Sequence, residues 1–195
     1  MKIAIISDIH ENFHNLVLFF DKIKQYDIKR IIFLGDFINN GIAKMLASSD
    51  IPVTAIWGNN DGEKVAITKT SLEKGSNLTV GFGTYDSIKI DNRNIFITHY
   101  PLLAKPMAKS GDFDAVFYGH DHKYNIDKIG NCLIVNPGEI SAHKTKKASF
   151  AIYDTKGNNA EIINIENAIS TRSKEAEEYL DNMKFAFQKS RTHKY

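Results

Sequence analysis

The chain has 195 residues, 43% of them hydrophobic, enough to fill the core of one domain. Its 25 basic residues nearly balance 23 acidic ones, leaving a formal charge of +2, so no overall field favours long nucleic acids or a membrane surface. A single cysteine, Cys132, excludes an intramolecular disulfide, no apolar run reaches the ~18 residues of a membrane span, and the start of the chain lacks a secretion pattern, so the expected location is the cytoplasm.

Lys2 to Ser7 reads as an apolar strand that delivers Asp8 and His10 at its C-terminal end. Asn12 or Asn15 can cap the helix that follows, in which Phe13, Leu16, Val17, Phe20 and Ile23 recur at helical spacing and should face the sheet. Ile31 to Leu34 is a second buried strand, ending at Gly35-Asp36. Strand, helix and strand in about 30 residues predict a right-handed parallel crossover that makes Asp8 and Asp36 neighbours. A shorter helix over 41–48 turns Ile42, Met45 and Leu46 inward, and a third strand over 51–57 ends at Gly58-Asn59-Asn60-Asp61. A helix is expected over 63–74, broken by Gly75.

From Leu78 the texture changes to short strands with Gly and Asn turns, at 78–80, 85–90 and 94–98, where hairpins should replace crossovers. A helix over 102–109 precedes a strand at 115–118, residues 125–128 and 132–135 form another hairpin, and strands at 150–153 and 161–165 complete the sheets. Asn136-Pro137-Gly138 marks a turn. Ser170 to Tyr195 has helical character, with Tyr179, Leu180, Met183 and Phe187 on one face. It is expected to pack on its own domain, the alternative being a contact in a homo-oligomer. The organisation expected is a domain over 1–168 with a helical extension over 169–195.

The chemistry-bearing residues gather at strand ends: Asp8, His10, Asp36, Asn59, His99, His120 and His122, which include four of the seven histidines. Carboxylate, imidazole and amide oxygen without thiolate suit Mn²⁺, Fe, Co, Ni or Zn²⁺ in a reactive centre rather than a structural zinc. Seven ligands exceed one ion's need but suffice for two ions if a carboxylate bridges, and Asp36 is the natural bridge. Taken singly each motif is weak: a lone Asp-x-His is more often a turn feature. Five in order at strand ends are not.

Asp8-Ile9-His10, Gly35-Asp36, Gly58-Asn59, His99 and Gly119-His120-Asp121-His122 occur in the order of the calcineurin-like metallophosphoesterases, which the chain resembles over residues 1–165. Its length, Gly58-Asn59-Asn60-Asp61 and the late Asn136-Pro137-Gly138 look like the small phosphodiesterases of the YfcE type. The resemblance implies an α/β fold, a two-sheet β-sandwich flanked by helices. It implies Asp8, His10 and His122 on one metal, Asn59, His99 and His120 on the other, and Asp36 shared. It further implies two divalent ions, Mn²⁺ first and Ni²⁺, Co²⁺, Fe²⁺ or Zn²⁺ as alternatives, and hydrolysis of a small phosphate ester or nucleotide by a metal-bridging hydroxide. Asn60 and His99 would contact the substrate. Alternatives are a phosphomonoesterase, a nuclease, or a weakly catalytic scaffold of the retromer-subunit type.

Three departures stand out. Many members have histidine where this chain has Asn60, which can hydrogen-bond but not act as an acid. Tyr100-Pro101 follows His99 where glycine is usual, predicting a narrower rim. Glu139 replaces the usual serine after Asn-Pro-Gly, and Ser141-Ala142-His143-Lys144 follows without Pro-Arg, so substrate contacts should differ there. Asp61 is expected to cap a helix or support a ligand, His14 to lie on the surface, and His143 to sit with Lys144, Lys146 and Lys147 in a solvated loop.

Overall fold

Runs such as Ile3 to Ile6 and Ile31 to Leu34 have no polar face, and a strand of that kind is stable only when covered on both sides. The structure, a computed structural model that describes residues 1–172, meets this requirement with helices, sheet, sheet and helix in four layers. In chain order the elements are β1 (Lys2–Ile6), α1 (Phe13–Ile23), β2 (Ile28–Phe33), α2 (Asn40–Ala47), β3 (Val53–Ala55), α3 (Lys64–Ser71), β4 (Leu78–Val80), β5 (Tyr85–Ile90) and β6 (Arg93–Thr98). They continue with α4 (Pro101–Ser110), β7 (Ala115–Tyr118), β8 (Asn125–Ile129), β9 (Cys132–Asn136), β10 (Ala148–Asp154) and β11 (Asn159–Ile165).

One sheet has the order β11-β10-β1-β2-β3-β4 and the other β5-β6-β7-β9-β8. β1 to β4 are mutually parallel, as are β6, β7 and β9. Alternation along each strand divides the core into three clusters. Ala4, Ile6, Ile31 and Phe33 pack beneath α1 and α2, whereas Ile3, Ile5, Ile32 and Leu34 meet Ile95, Ile97, Phe117 and Val135 between the sheets. Phe96, Val116 and Ile134 turn the other way, onto Ala104 and Ala108 of α4. Cys132 lies in this last cluster, where burial pushes its thiol up to about 11 and makes it a core filler.

Several expectations need correction. α1 starts after Asn12, whose side chain accepts from Asn15 N at 3.0 Å, but its covered apolar residues are Leu16, Phe19 and Ile23, while Phe13 and Val17 are exposed. The sheet meets a stripe rotated by part of a turn from the one the spacing suggested. Of residues 78–98, only β5 and β6 form a hairpin; β4 pairs parallel to β3 as an edge strand. The third strand is confined to Val53–Ala55, because beyond it Trp57 N donates to Gly83 O rather than to a neighbouring strand. The helix expected over 63–74 occupies Lys64–Ser71. The C-terminal helix expected from Ser170 to Tyr195 falls, beyond residue 172, outside the described residues.

Phe117 is fully buried between the sheets, edge-on to Tyr153 with ring centroids 5.1 Å apart. Phe117→Ala should lower the unfolding free energy by about 3–5 kcal/mol in urea titration, and a loss below about 1 kcal/mol would contradict this core assignment.

Candidate metal centre

The segments that follow β1, β2, β3, β6, β7 and β9 converge at one edge of the two sheets, where parallel strands leave their C-terminal ends. Backbone hydrogen bonds extend the pairing past the strands: Asp8 N to Gly35 O at 3.1 Å, His10 N to Asp36 O at 3.1 Å, and Gly119 N to His99 O at 3.2 Å. Asp8, His10, Asp36, His120 and His122 all have positive φ, between 45° and 74°. Non-glycine residues adopt that region at a cost of roughly 1–3 kcal/mol each, and such strain clusters where a side chain must be aimed. Gly35, at φ 101°, runs so close to Gly58 that a Cβ would collide with the Gly58 backbone. The Gly-Asp and Gly-Asn motifs are thus two sides of one contact.

The structure brings all seven predicted residues together. Asp8 Oδ1 lies 3.5 Å from His10 Nε2 and 3.3 Å from His122 Nε2, and the two imidazole nitrogens are 3.3 Å apart. On the other side, Asn59 Oδ1 is 2.9 Å from His99 Nε2 and 2.8 Å from His120 Nδ1, which are themselves 3.3 Å apart. Asp36 Oδ2 stands between, 3.4 Å from His10 Nε2 and 3.7 Å from His99 Nε2. Asp8, Asp36, His10, His99 and His122 are buried, whereas Asn59 and Asn60 are exposed and His120 half-buried. The centre therefore opens toward those last three. Tyr100 lines the same rim, with its ring 5.2 Å from both His99 and His120.

Neighbouring groups fix the donor atoms. His99 Nδ1 donates to Leu34 O at 2.7 Å and His122 Nδ1 to Glu139 Oε2 at 2.7 Å, so each ring presents the Nε2 lone pair to the centre. Burial pushes the Asp8 carboxyl up, but the hydrogen-bonding His10, the charges of His122 and His99, and Ser7 outweigh it and hold it below the usual range. Ser7 Oγ donates to Asp8 Oδ2 at 2.6 Å. Burial, with His99 beside it, lowers His120 and favours the neutral ring that can act as a ligand. Among the described residues, Asp8 Oδ1 and His10 Nδ1 are buried side-chain atoms without a hydrogen-bond partner.

These features fit divalent cations. Asp8, His10 and His122, and also Asp8, Asp36 and His99, each offer ligand atoms within 4.8 Å of one another. Donors about 2.1 Å from a shared ion are separated by such distances, and an ion would supply the partner that Asp8 Oδ1 lacks. The donors are nitrogen and oxygen only.

Some expectations change. His99 is fully buried with Nδ1 engaged, which leaves no exposed ring atom for a substrate contact. Asn60 faces Asp36: its N–H donates to Oδ1 at 2.9 Å and its side-chain Nδ2 to Oδ2 at 2.8 Å. Asp61 does not cap α3 but takes the other expected role, supporting the Asp36 segment: its carboxylate accepts from Gly58 N at 2.6 Å, Ile38 N at 3.0 Å and Asp36 N at 3.2 Å. Glu139 is fully buried and turned to His122, not to a substrate. Burial pushes it up, but His122, Ser141 and Thr145 prevail and hold it at about 2. It ends an apolar strand and turn, the same signature that singled out the candidate ligands. His143 is buried beside His10, with ring centroids 6.1 Å apart and Nδ1 3.0 Å from Ser170 Oγ, while Lys144, Lys146 and Lys147 are exposed. His14 is exposed, as expected.

Removing the Asp61 carboxylate leaves three N–H groups of the ligand loops unpaired, two of them buried at the Asp36–Gly58 contact. Asp61→Ala should lower stability by about 1–3 kcal/mol in chemical unfolding; an unchanged midpoint would show that the loops hold without it.

Comparison with known proteins agrees with this geometry. Residues 1–158 match the calcineurin-like phosphoesterase superfamily domain. Phosphodiesterase MJ0936 of Methanocaldococcus jannaschii is 29% identical over 158 residues, covering 80% of this chain and 94% of that protein. A solved structure of a novel archaeal phosphodiesterase is 28% identical with a TM-score of 0.74, over 84% of this chain and 99% of its own. The E. coli phosphoesterase YfcE shares the fold, at 20% identity and a TM-score of 0.62 over 85% of this chain and all of its own. The matched segment runs from β1 into the turn before β11 and includes every residue of the centre, and the chain belongs to the calcineurin-like phosphoesterase superfamily.

Proposed function

We propose that the protein is a phosphodiesterase that hydrolyses a small phosphate ester with two divalent cations held by Asp8, His10, Asp36, Asn59, His99, His120 and His122. The observation that carries this reading is the place of Asp36 Oδ2, 3.4 Å from His10 Nε2 and 3.7 Å from His99 Nε2, between the two groups of residues. Asp8, His10 and His122 take one cation, and Asn59, His99 and His120 the other. Mn²⁺ is the first candidate, with Ni²⁺, Co²⁺, Fe²⁺ or Zn²⁺ as alternatives for a centre of imidazole, carboxylate and amide oxygen. Bound cations supply an activated water and offset the charge of the transferring phosphoryl group.

The chain's own residues do the rest. Asp61 and Asn60 hold the Asp36 backbone and carboxylate, so the shared ligand is set before substrate arrives. Asn60 has no proton to give at ordinary pH, and the second N–H of its amide is left for a phosphate oxygen. A substrate enters over Asn59, Asn60 and His120, past Tyr100. The balanced charge favours a small ester over a long nucleic acid. No helix among the described residues is long and apolar enough to cross a membrane, and a cytoplasmic location is our reading of the lone buried cysteine.

Metal-stripped protein, supplied in turn with each cation, should hydrolyse bis-p-nitrophenyl phosphate faster than p-nitrophenyl phosphate. Asp36→Asn should cost on the order of 10²- to 10³-fold in turnover, the scale of losing one fixed electrostatic stabiliser. Full cation occupancy with neither ester cleaved, or undiminished turnover by Asp36→Asn under limiting metal, would overturn the reading.

A further inference from the structure

The two ligand groups differ in what stands behind their imidazoles. On one side, Asp8 brings a carboxylate of its own, and His122 Nδ1 donates to a second carboxylate, Glu139 Oε2, at 2.7 Å. On the other, His99 Nδ1 donates to the neutral Leu34 carbonyl, and the remaining oxygen ligand is the neutral Asn59 amide. Asp36 is common to both.

Glu139 is a built feature. It is fully buried, and besides His122 it accepts from Ser141 Oγ, from the backbone N–H of His143 at 3.0 Å, Lys144 at 3.0 Å and Thr145 at 2.7 Å, and from Thr145 Oγ1 at 2.8 Å. Six donors hold one carboxylate in a fixed place and keep it ionised without a lysine or arginine. Among the described residues its only ring partner is His122, so its charge reaches the centre through that imidazole.

We propose that Glu139 is a positioning residue that makes the Asp8, His10 and His122 group the tighter of the two cation positions. The proposal rests on the two-cation reading above. A carboxylate behind a ligating histidine fixes the ring's rotation and tautomer, as a carbonyl also does. It additionally strengthens the Nε2 donor, which a carbonyl does far less. Loss of such a partner typically costs about 10- to 100-fold in metal affinity. His10 Nδ1 has no partner, so the outer support of this side comes through His122 alone, and together with the Asp8 charge it favours filling this side first.

The test is calorimetric titration of the full, metal-stripped chain with Mn²⁺. The wild type should show two steps about tenfold or more apart, and His120→Ala should remove the weaker one. Glu139→Gln, close in shape but uncharged, should weaken the tighter step by about 10- to 100-fold and leave the weaker one in place. Glu139→Asp, which keeps the charge on a shorter arm, should recover part of that loss, a ranking that a purely structural role would not produce. In the metal-free wild type, ¹⁵N–¹H correlation should find the His122 proton on Nδ1. Two equal steps in the wild type, loss of the tighter step in His120→Ala, or an unchanged tighter step in Glu139→Gln would overturn the proposal and leave the two-cation reading standing. No Mn²⁺ binding by the wild type would overturn that reading itself.

Discussion

Two carboxylates, Asp8 and Asp36, are buried together at the edge of the sheets, and the rest of the structure answers to that fact. Taking one unpaired carboxylate out of water costs several kcal/mol, and a second beside it adds like-charge repulsion. Hydrogen bonds from Ser7, Asn60 and backbone N–H groups meet part of the demand. Imidazoles meet another part, although His120 is shifted toward its neutral form. What remains is a concentration of negative charge and lone pairs around Asp8 Oδ1 and Asp36 Oδ2, which divalent cations neutralise. The centre is thus a consequence of electrostatics as much as of ligand chemistry.

The fold supplies the rigidity that such a centre needs. Parallel strands buried on both faces end at one edge, so six loops start from fixed points along that edge. The loops then adopt costly backbone conformations, five of them at residues proposed as ligands. The three-cluster core offsets that strain, and in return the side chains meet without reorganisation. Asp61 shows the division of labour: it touches no cation position, yet it ties the Asp36 and Gly58 segments to each other.

Much of this was legible in the sequence because strand ends carry a local signature. Apolar runs stopping at Asp, Asn or His announced Asp8, Asp36, Asn59, His99, His120 and His122, and the parallel pairing of β1 with β2 followed from the intervening helix. What was hidden depends on contacts between distant segments. Glu139 looked only like a departure that alters substrate contacts, because its partner, His122, lies across a hairpin from it. His143 looked solvated because nothing nearby in sequence shows that Ser170 and Thr171 return to cover it. The covered face of α1 and the parallel placement of β4 were missed for the same reason: short apolar patterns leave the partner open, and tertiary packing chooses it.

The most direct test of the account is a crystal structure of the full chain with Mn²⁺, with the ions located by anomalous scattering. Two peaks about 3.5–4 Å apart on either side of the Asp36 carboxylate, one near His10 and His122 and the other near His99 and His120, are the expected result. A single peak, or two that do not share Asp36, would contradict it.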